Sequence, residues 1–126
     1  MKKLLVLLFS IMISFNSYGE WTEIGSNSSG QTYYLDKELI KEYDGDVYFW
    51  MLTDYPNPYN GYMSDKVYMK LNCGVFRYKP LSGNFYKQPM GVGEKKEYPP
   101  PPEEWHYPST ESTAYYLLNW ICDYIK

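Results

Sequence analysis

The sequence predicts an α+β domain: an antiparallel β-sheet meander of about six strands, with a C-terminal α-helix packed on one face and a disulfide joining strand to helix. Three observations lead there. Aromatic residues make up 20 % of the 126-residue chain, with 16 Tyr against 5 Phe, and they gather in runs that suit a pleated, half-buried surface. From Lys66 the side chains alternate: Val67, Met69, Leu71 and Cys73 share one face, and Lys66, Tyr68, Lys70 and Asn72 share the other. Beyond Pro108, Ala114, Leu117, Leu118, Ile121, Cys122 and Ile125 recur at helical spacing and form one apolar stripe.

The chain opens on Met1-Lys2-Lys3, continues through the apolar run Leu4 to Phe15, and reaches Ser17-Tyr18-Gly19 before Glu20. A charged start, a short apolar region and small residues three back and one back from a cut after Gly19 are the features of a cleavable signal peptide. A membrane anchor is the alternative, but a spanning helix needs about 20 apolar residues and this run is shorter. Residues 1–19 are therefore read as a signal peptide and residues 20–126 as one exported domain. Its removal takes away Lys2 and Lys3 and moves the formal charge from the −3 of the whole chain toward −5. An acidic domain without a basic block has no electrostatic reason to bind nucleic acid or anionic lipid headgroups.

Along the mature chain, Glu20 to Ile24 reads as a first strand, Ser26 to Gly30 as a polar turn, and Gln31 to Leu35 as a second strand. Asp36 caps a short helical turn through Leu39 and Ile40, and Asp44-Gly45-Asp46 makes the next turn. Val47 to Thr53 is apolar on both faces and is expected at the centre of the sheet, covered on much of each side. The prolines in Tyr55 to Gly61 are expected to end it in a loop. After the alternating strand from Lys66, Gly74 turns into a strand at Val75 to Lys79, and Ser82-Gly83-Asn84 turns again into Phe85 to Gln88. Lys95 to Pro102 is expected to run over the surface as an extended, polyproline-like segment without ladder hydrogen bonds. Ser109 or Thr110 then caps the final helix.

Both cysteines, Cys73 and Cys122, lie in the exported part, and an even count in an oxidising compartment reads as a disulfide. The period-2 pattern around Cys73 and the period-3.6 pattern around Cys122 aim both into one interior. Two free buried thiols are the alternative.

Groups for chemistry are sparse. His106 is the sole histidine, with no nucleophile motif around it. A lone histidine, no thiolate cluster and no oxygen-rich loop match no metal-ligand spacing. Gly91-Val92-Gly93 lacks a following helix and reads as a turn or bulge. Asn27-Ser28-Ser29 fits a glycosylation triplet, without implying a eukaryotic route. No catalytic residue, metal or cofactor is expected. The candidate binding surface is aromatic: Tyr55, Tyr59 and Tyr62 in one segment, and Tyr98, Trp105 and Tyr107 in another. Tyrosine and tryptophan give large contact area at low entropic cost. The same rings also fill the cores of small domains.

In order and spacing the chain resembles the surface-adhesin protein E-like family of Gram-negative bacterial exported proteins. The likeness runs through Trp21-Thr22-Glu23-Ile24-Gly25, Tyr33-Tyr34-Leu35-Asp36 with Ile40, the aromatic strand through Trp50, Asn72-Cys73, Met90-Gly91, and Trp105 before a helix ending in Cys122. It implies an antiparallel sheet with a C-terminal helix, pairing of Cys73 with Cys122, structural roles for Trp21 and Trp105, and no catalytic residue. It also implies an adhesin that recognises host extracellular-matrix or serum proteins. The member that named the family carries a lipid on its first mature cysteine; Glu20 stands at that place here, so lipidation at the cleavage site is not expected. The alternative function is a soluble periplasmic structural or assembly protein packed against an envelope partner. Pairing through an exposed sheet edge is the expected route to a homodimer.

Overall fold

The computed structural model describes residues 20–126, so the signal peptide assigned to residues 1–19 lies outside the described residues. Seven strands form a single antiparallel sheet: β1 (Trp21–Ser26), β2 (Thr32–Asp36), β3 (Lys41–Tyr43), β4 (Asp46–Tyr59), β5 (Tyr62–Asn72), β6 (Arg77–Gln88) and β7 (Val92–Glu97). One helix, α1 (Thr113–Tyr124), follows. The spatial order is β1-β2-β4-β5-β6-β7, with β3 pairing β4 beyond the end of β2. The α+β meander with its C-terminal helix is thus as the periodicities predict. β1 and β7 are the sheet edges; every residue of β7 is exposed, and its Glu94, Lys95, Lys96 and Glu97 blunt that edge against further pairing.

The core lies between the sheet and α1. Leu35 from β2, Val47, Phe49 and Met51 from β4, and Leu71 from β5 meet Leu117, Leu118, Ile121 and Cys122 from α1, with Ile24 completing the cluster. Phe49, Leu35, Leu71 and Ile121 are fully excluded from water, and each such side chain contributes about 1.5–3 kcal/mol by its burial. Cys73, just past β5, is bonded to Cys122 in the last turn of α1, with Cα atoms 5.9 Å apart. The bridge holds the helix onto the sheet at the end where β5 finishes.

Several expectations need correction. The third strand does not stop at Thr53: β4 runs on to Tyr59 and turns at Asn60-Gly61 directly into β5, with Tyr59 opposite Tyr62. Asn60 and Gly61 both have positive φ, 51° and 84°, as the tight two-residue hairpin turn requires. Pro56 and Pro58 are tolerated because the register breaks between Asp54 and Tyr59, where no ladder donor is needed. Nor does Ser82-Gly83-Asn84 turn the chain; it lies inside the continuous strand β6. Gly83 is there for close approach, since a Cβ would stand 2.7 Å from the Lys66 carbonyl oxygen and 3.2 Å from the Tyr98 ring.

Lys95 to Glu97 do belong to the ladder, pairing with Tyr86, Phe85 and Asn84, and the Tyr98 N–H donates to the Gly83 carbonyl at 2.9 Å. The surface segment without ladder bonds begins only at Pro99, where the N–H donors run out. β4 is central, but α1 covers only one of its faces; on the other, Leu52 is buried while Tyr48 and Trp50 remain half-buried. β3, exposed along its three residues, is too short to show a period. The helix is capped by Ser112 and not by the expected Ser109 or Thr110: the Ser112 Oγ accepts from the Tyr115 N–H at 3.1 Å and donates to the Ser109 carbonyl at 2.8 Å. Asp36 caps the short 3₁₀ turn Lys37–Leu39, accepting from the Glu38 N–H.

Candidate functional site

The long β4–β5 hairpin and the end of β6 gather four of the candidate aromatic residues at one end of the sheet. Tyr62 packs on Phe85 with ring centroids 5.3 Å apart, and Phe85 packs on Tyr98 at 4.2 Å. Tyr55 meets Tyr59 edge-on at 6.2 Å. Lys87 places its ammonium 4.5 Å from the centre of the Tyr62 ring. Exposure separates their roles: Tyr55 is 9 % exposed and Tyr59 60 %, with Tyr62 and Tyr98 half-buried between them. Phe85, the ring joining two of the tyrosines, was not among the sequence candidates.

Beneath this strip lies Asp65, also absent from the sequence candidates. It occupies an inward-facing position of β5, opposite Thr53 of β4 and Phe85 of β6, and is 9 % exposed. The Tyr55 hydroxyl donates to Asp65 Oδ2, whereas Asp65 Oδ1 is buried with no hydrogen-bond partner. Burial raises the Asp65 pKa, opposed by the nearby hydroxyls of Tyr55, Tyr98 and Thr53, which favour the ionised form. Burial also raises the pKa of Tyr55 and of Tyr98, and the adjacent carboxylate raises both further. Asp65 is therefore a buried carboxyl that holds its proton more tightly than a free one, beside phenols that stay protonated. A cavity of about 420 Å³ opens on its helix-side flank, lined by Met51, Val67, Met69, Pro80 and Tyr98 among others.

Trp105 and Tyr107 belong elsewhere. The segment after Pro102 is stitched to β6 by a two-way backbone pair: Tyr78 N–H donates to the His106 carbonyl at 2.9 Å, and His106 N–H donates to the Tyr78 carbonyl at 2.8 Å. The His106 ring stacks on Tyr78 with ring centroids 5.3 Å apart. The Trp105 ring lies on the helix-free face among three cations, with Arg77 4.2 Å, Lys79 4.6 Å and Lys70 5.5 Å from its centre. Arg77 Nη1 donates to the Tyr107 hydroxyl at 3.2 Å. Nearby, Trp50 packs on Tyr68 at 4.9 Å and Tyr68 on Tyr48 at 6.2 Å. The six candidates thus fall into two clusters. No group of three or more metal-ligating side chains occurs among the described residues, and no helix there is long and apolar enough to cross a membrane.

Fold and side chains together define a small sheet-and-helix domain of the α+β class whose surface clusters are aromatic and cationic. The description surface-adhesin protein E matches residues 21–123. The chain belongs to the surface-adhesin protein E family. Among solved structures it is similar to crystal form II of Haemophilus influenzae protein E, with a TM-score of 0.67 and 22 % identity over 86 % of this chain and 91 % of that one. A second structure of Haemophilus influenzae protein E gives a TM-score of 0.65 at 21 % identity over 84 % and 86 %. Protein E from non-typeable Haemophilus influenzae gives 0.62 at 21 % over 83 % and 76 %. At these identities the likeness establishes a shared fold. No curated protein sequence matches the chain.

Proposed function

We propose that the protein is an exported, non-enzymatic adhesin that binds a host extracellular-matrix or serum protein through the tip of the β4–β5 hairpin. Membership of a surface-adhesin family supports the class, and one observation carries the choice of surface: Tyr59, 60 % exposed, stands at the hairpin tip beside a braced strip of rings. Tyr62 extends the contact surface, while Tyr55 and Tyr98 hold the strip from below. Rigid tyrosines on a supported hairpin lose little conformational entropy on binding. Trp105 and Tyr107, on the cationic face, form a second, separate contact area.

The test combines location with binding. External protease on intact cells is expected to destroy the protein, and the purified chain is expected to bind at least one immobilised matrix or serum protein. Replacing Tyr59 and Tyr62 together by Ala should weaken that binding by roughly 30-fold, the order of a loss of about 2 kcal/mol at a contact hot spot. Protection from protease on intact cells, or full binding by the double variant, refutes the proposal.

A further inference from the structure

Asp65 presents a problem that the aromatic strip does not solve. A carboxylate oxygen nine-tenths buried and without a hydrogen-bond donor is costly to keep, and native folds rarely leave one so. The described residues place no cation in salt-bridge reach of Asp65; the recorded ion pairs are Lys70 with Asp46 and Lys126 with Asp123. Its neighbour Lys66 points to the opposite face, where its ammonium lies 5.5 Å from the centre of the Trp21 ring and 5.0 Å from that of Tyr86. Asp65 therefore has no cationic partner of its own, and it lines an open, largely apolar cavity of about 420 Å³.

We propose that this cavity binds a primary alkylammonium group, with the ammonium on the Asp65 carboxyl group and the aliphatic chain along Met51, Val67 and Met69. The ligand chemistry follows from the walls. Two thioethers and a branched side chain adapt to an unbranched hydrocarbon, and an ammonium brings both the missing donor and the missing positive charge. A neutral alcohol would supply a donor without charge, and a carboxylate would place like charges together. The ammonium can be that of a free amine or of a lysine side chain on a partner. The site does not use Tyr59 or Tyr62, so it stands apart from the adhesive surface proposed above.

The experiment is a titration of the disulfide-bonded protein with n-hexylamine, n-hexanol, hexanoate and Nα-acetyl-lysine amide, followed by the methyl NMR signals of Met51, Met69 and Val67. Hexylammonium is expected to bind saturably with a Kd on the order of 1 mM, hexanol at least about tenfold more weakly, and hexanoate with no saturation. Acetyl-lysine amide separates the two sources: binding near that of hexylammonium indicates a lysine side chain, and much weaker binding indicates a free amine. Asp65→Asn should weaken hexylammonium at least about tenfold, and Val67→Phe, which fills the cavity and leaves the carboxylate in place, should abolish binding. Replacing Tyr59 and Tyr62 by Ala should leave the titration unchanged, whatever that variant does to adhesion. Failure of hexylammonium to shift these methyls, equal binding of hexanol and hexylammonium, or undiminished binding to Val67→Phe overturns the inference.

Discussion

Replacing Cys73 and Cys122 together by Ala should cost about 4 kcal/mol of stability. The bridge spans a sequence separation of 49 residues, and closing a loop of that length removes roughly 14 cal/mol/K of entropy from the unfolded chain, about 4 kcal/mol at 25 °C. Small domains are stable by only about 5–15 kcal/mol in total, so the loss takes from about a quarter to about four-fifths of that margin. Urea denaturation followed by tryptophan fluorescence and by far-UV circular dichroism measures the change. The midpoint should fall sharply, and the slope should rise because the unfolded chain, released from its ring, exposes more surface. The loss should be distributed through the whole fold, since Cys122 belongs to the core cluster with Phe49, Leu71 and Ile121. A loss below about 1 kcal/mol would refute the reasoning, because packing of α1 alone would then hold the helix on the sheet.

Gly83→Ala should destabilise by about 1–3 kcal/mol, the range for overpacking, because the new Cβ meets the Lys66 carbonyl oxygen at 2.7 Å; urea denaturation checks it. Trp105→Ala should remove the partner of Arg77, Lys79 and Lys70 and cost about 1–2 kcal/mol, with faster amide exchange at Tyr78 and His106 as the strap loosens. The raised pKa of Asp65 makes stability fall as pH rises from the ordinary carboxylate range through the elevated folded value, because the native state holds the proton more tightly than the unfolded one. Below the unfolded pKa that contribution is constant. Asp65→Asn should flatten this part of the stability curve against pH, and an unchanged slope would refute the assignment.

How far the sequence could be read depended on whether one local signal acted alone. Around Cys73 and Cys122 each periodicity was undisturbed, so the face of each cysteine, the helix stripe and the bridge between them were legible. At Tyr55 to Gly61 two signals competed. Pro56 and Pro58 argue for a loop, but Asn60-Gly61 is a hairpin turn, and the turn prevails because the break in register spares the proline nitrogens. Gly83 misleads for a related reason: turn chemistry and close backbone approach both call for glycine, and only the neighbouring Lys66 carbonyl and Tyr98 ring distinguish them. Asp65 carried a readable sign. Extending the alternation of Val67, Met69 and Leu71 one step back places a carboxylate on the core face. Its two tyrosine neighbours were visible as residues, but their convergence on it depends on β4 and β7 reaching the same end of the sheet, a non-local pairing that no window of sequence contains.

The covalent ring has a mechanical consequence. When a protein is pulled from its two ends, the chain enclosed by the bond between Cys73 and Cys122 cannot pay out. Those 49 steps, at about 3.4 Å each when extended, represent roughly 170 Å of contour that stays locked. β6, β7 and most of α1 lie inside the ring, so tension passes from β5 through two sulfur atoms to the last turn of α1 and bypasses them. The hairpin strand β4 and the three strands before it lie on the extensible side. Under load the protein should therefore lengthen only by its N-terminal part, and single-molecule stretching in a reductant should add the missing length in one step.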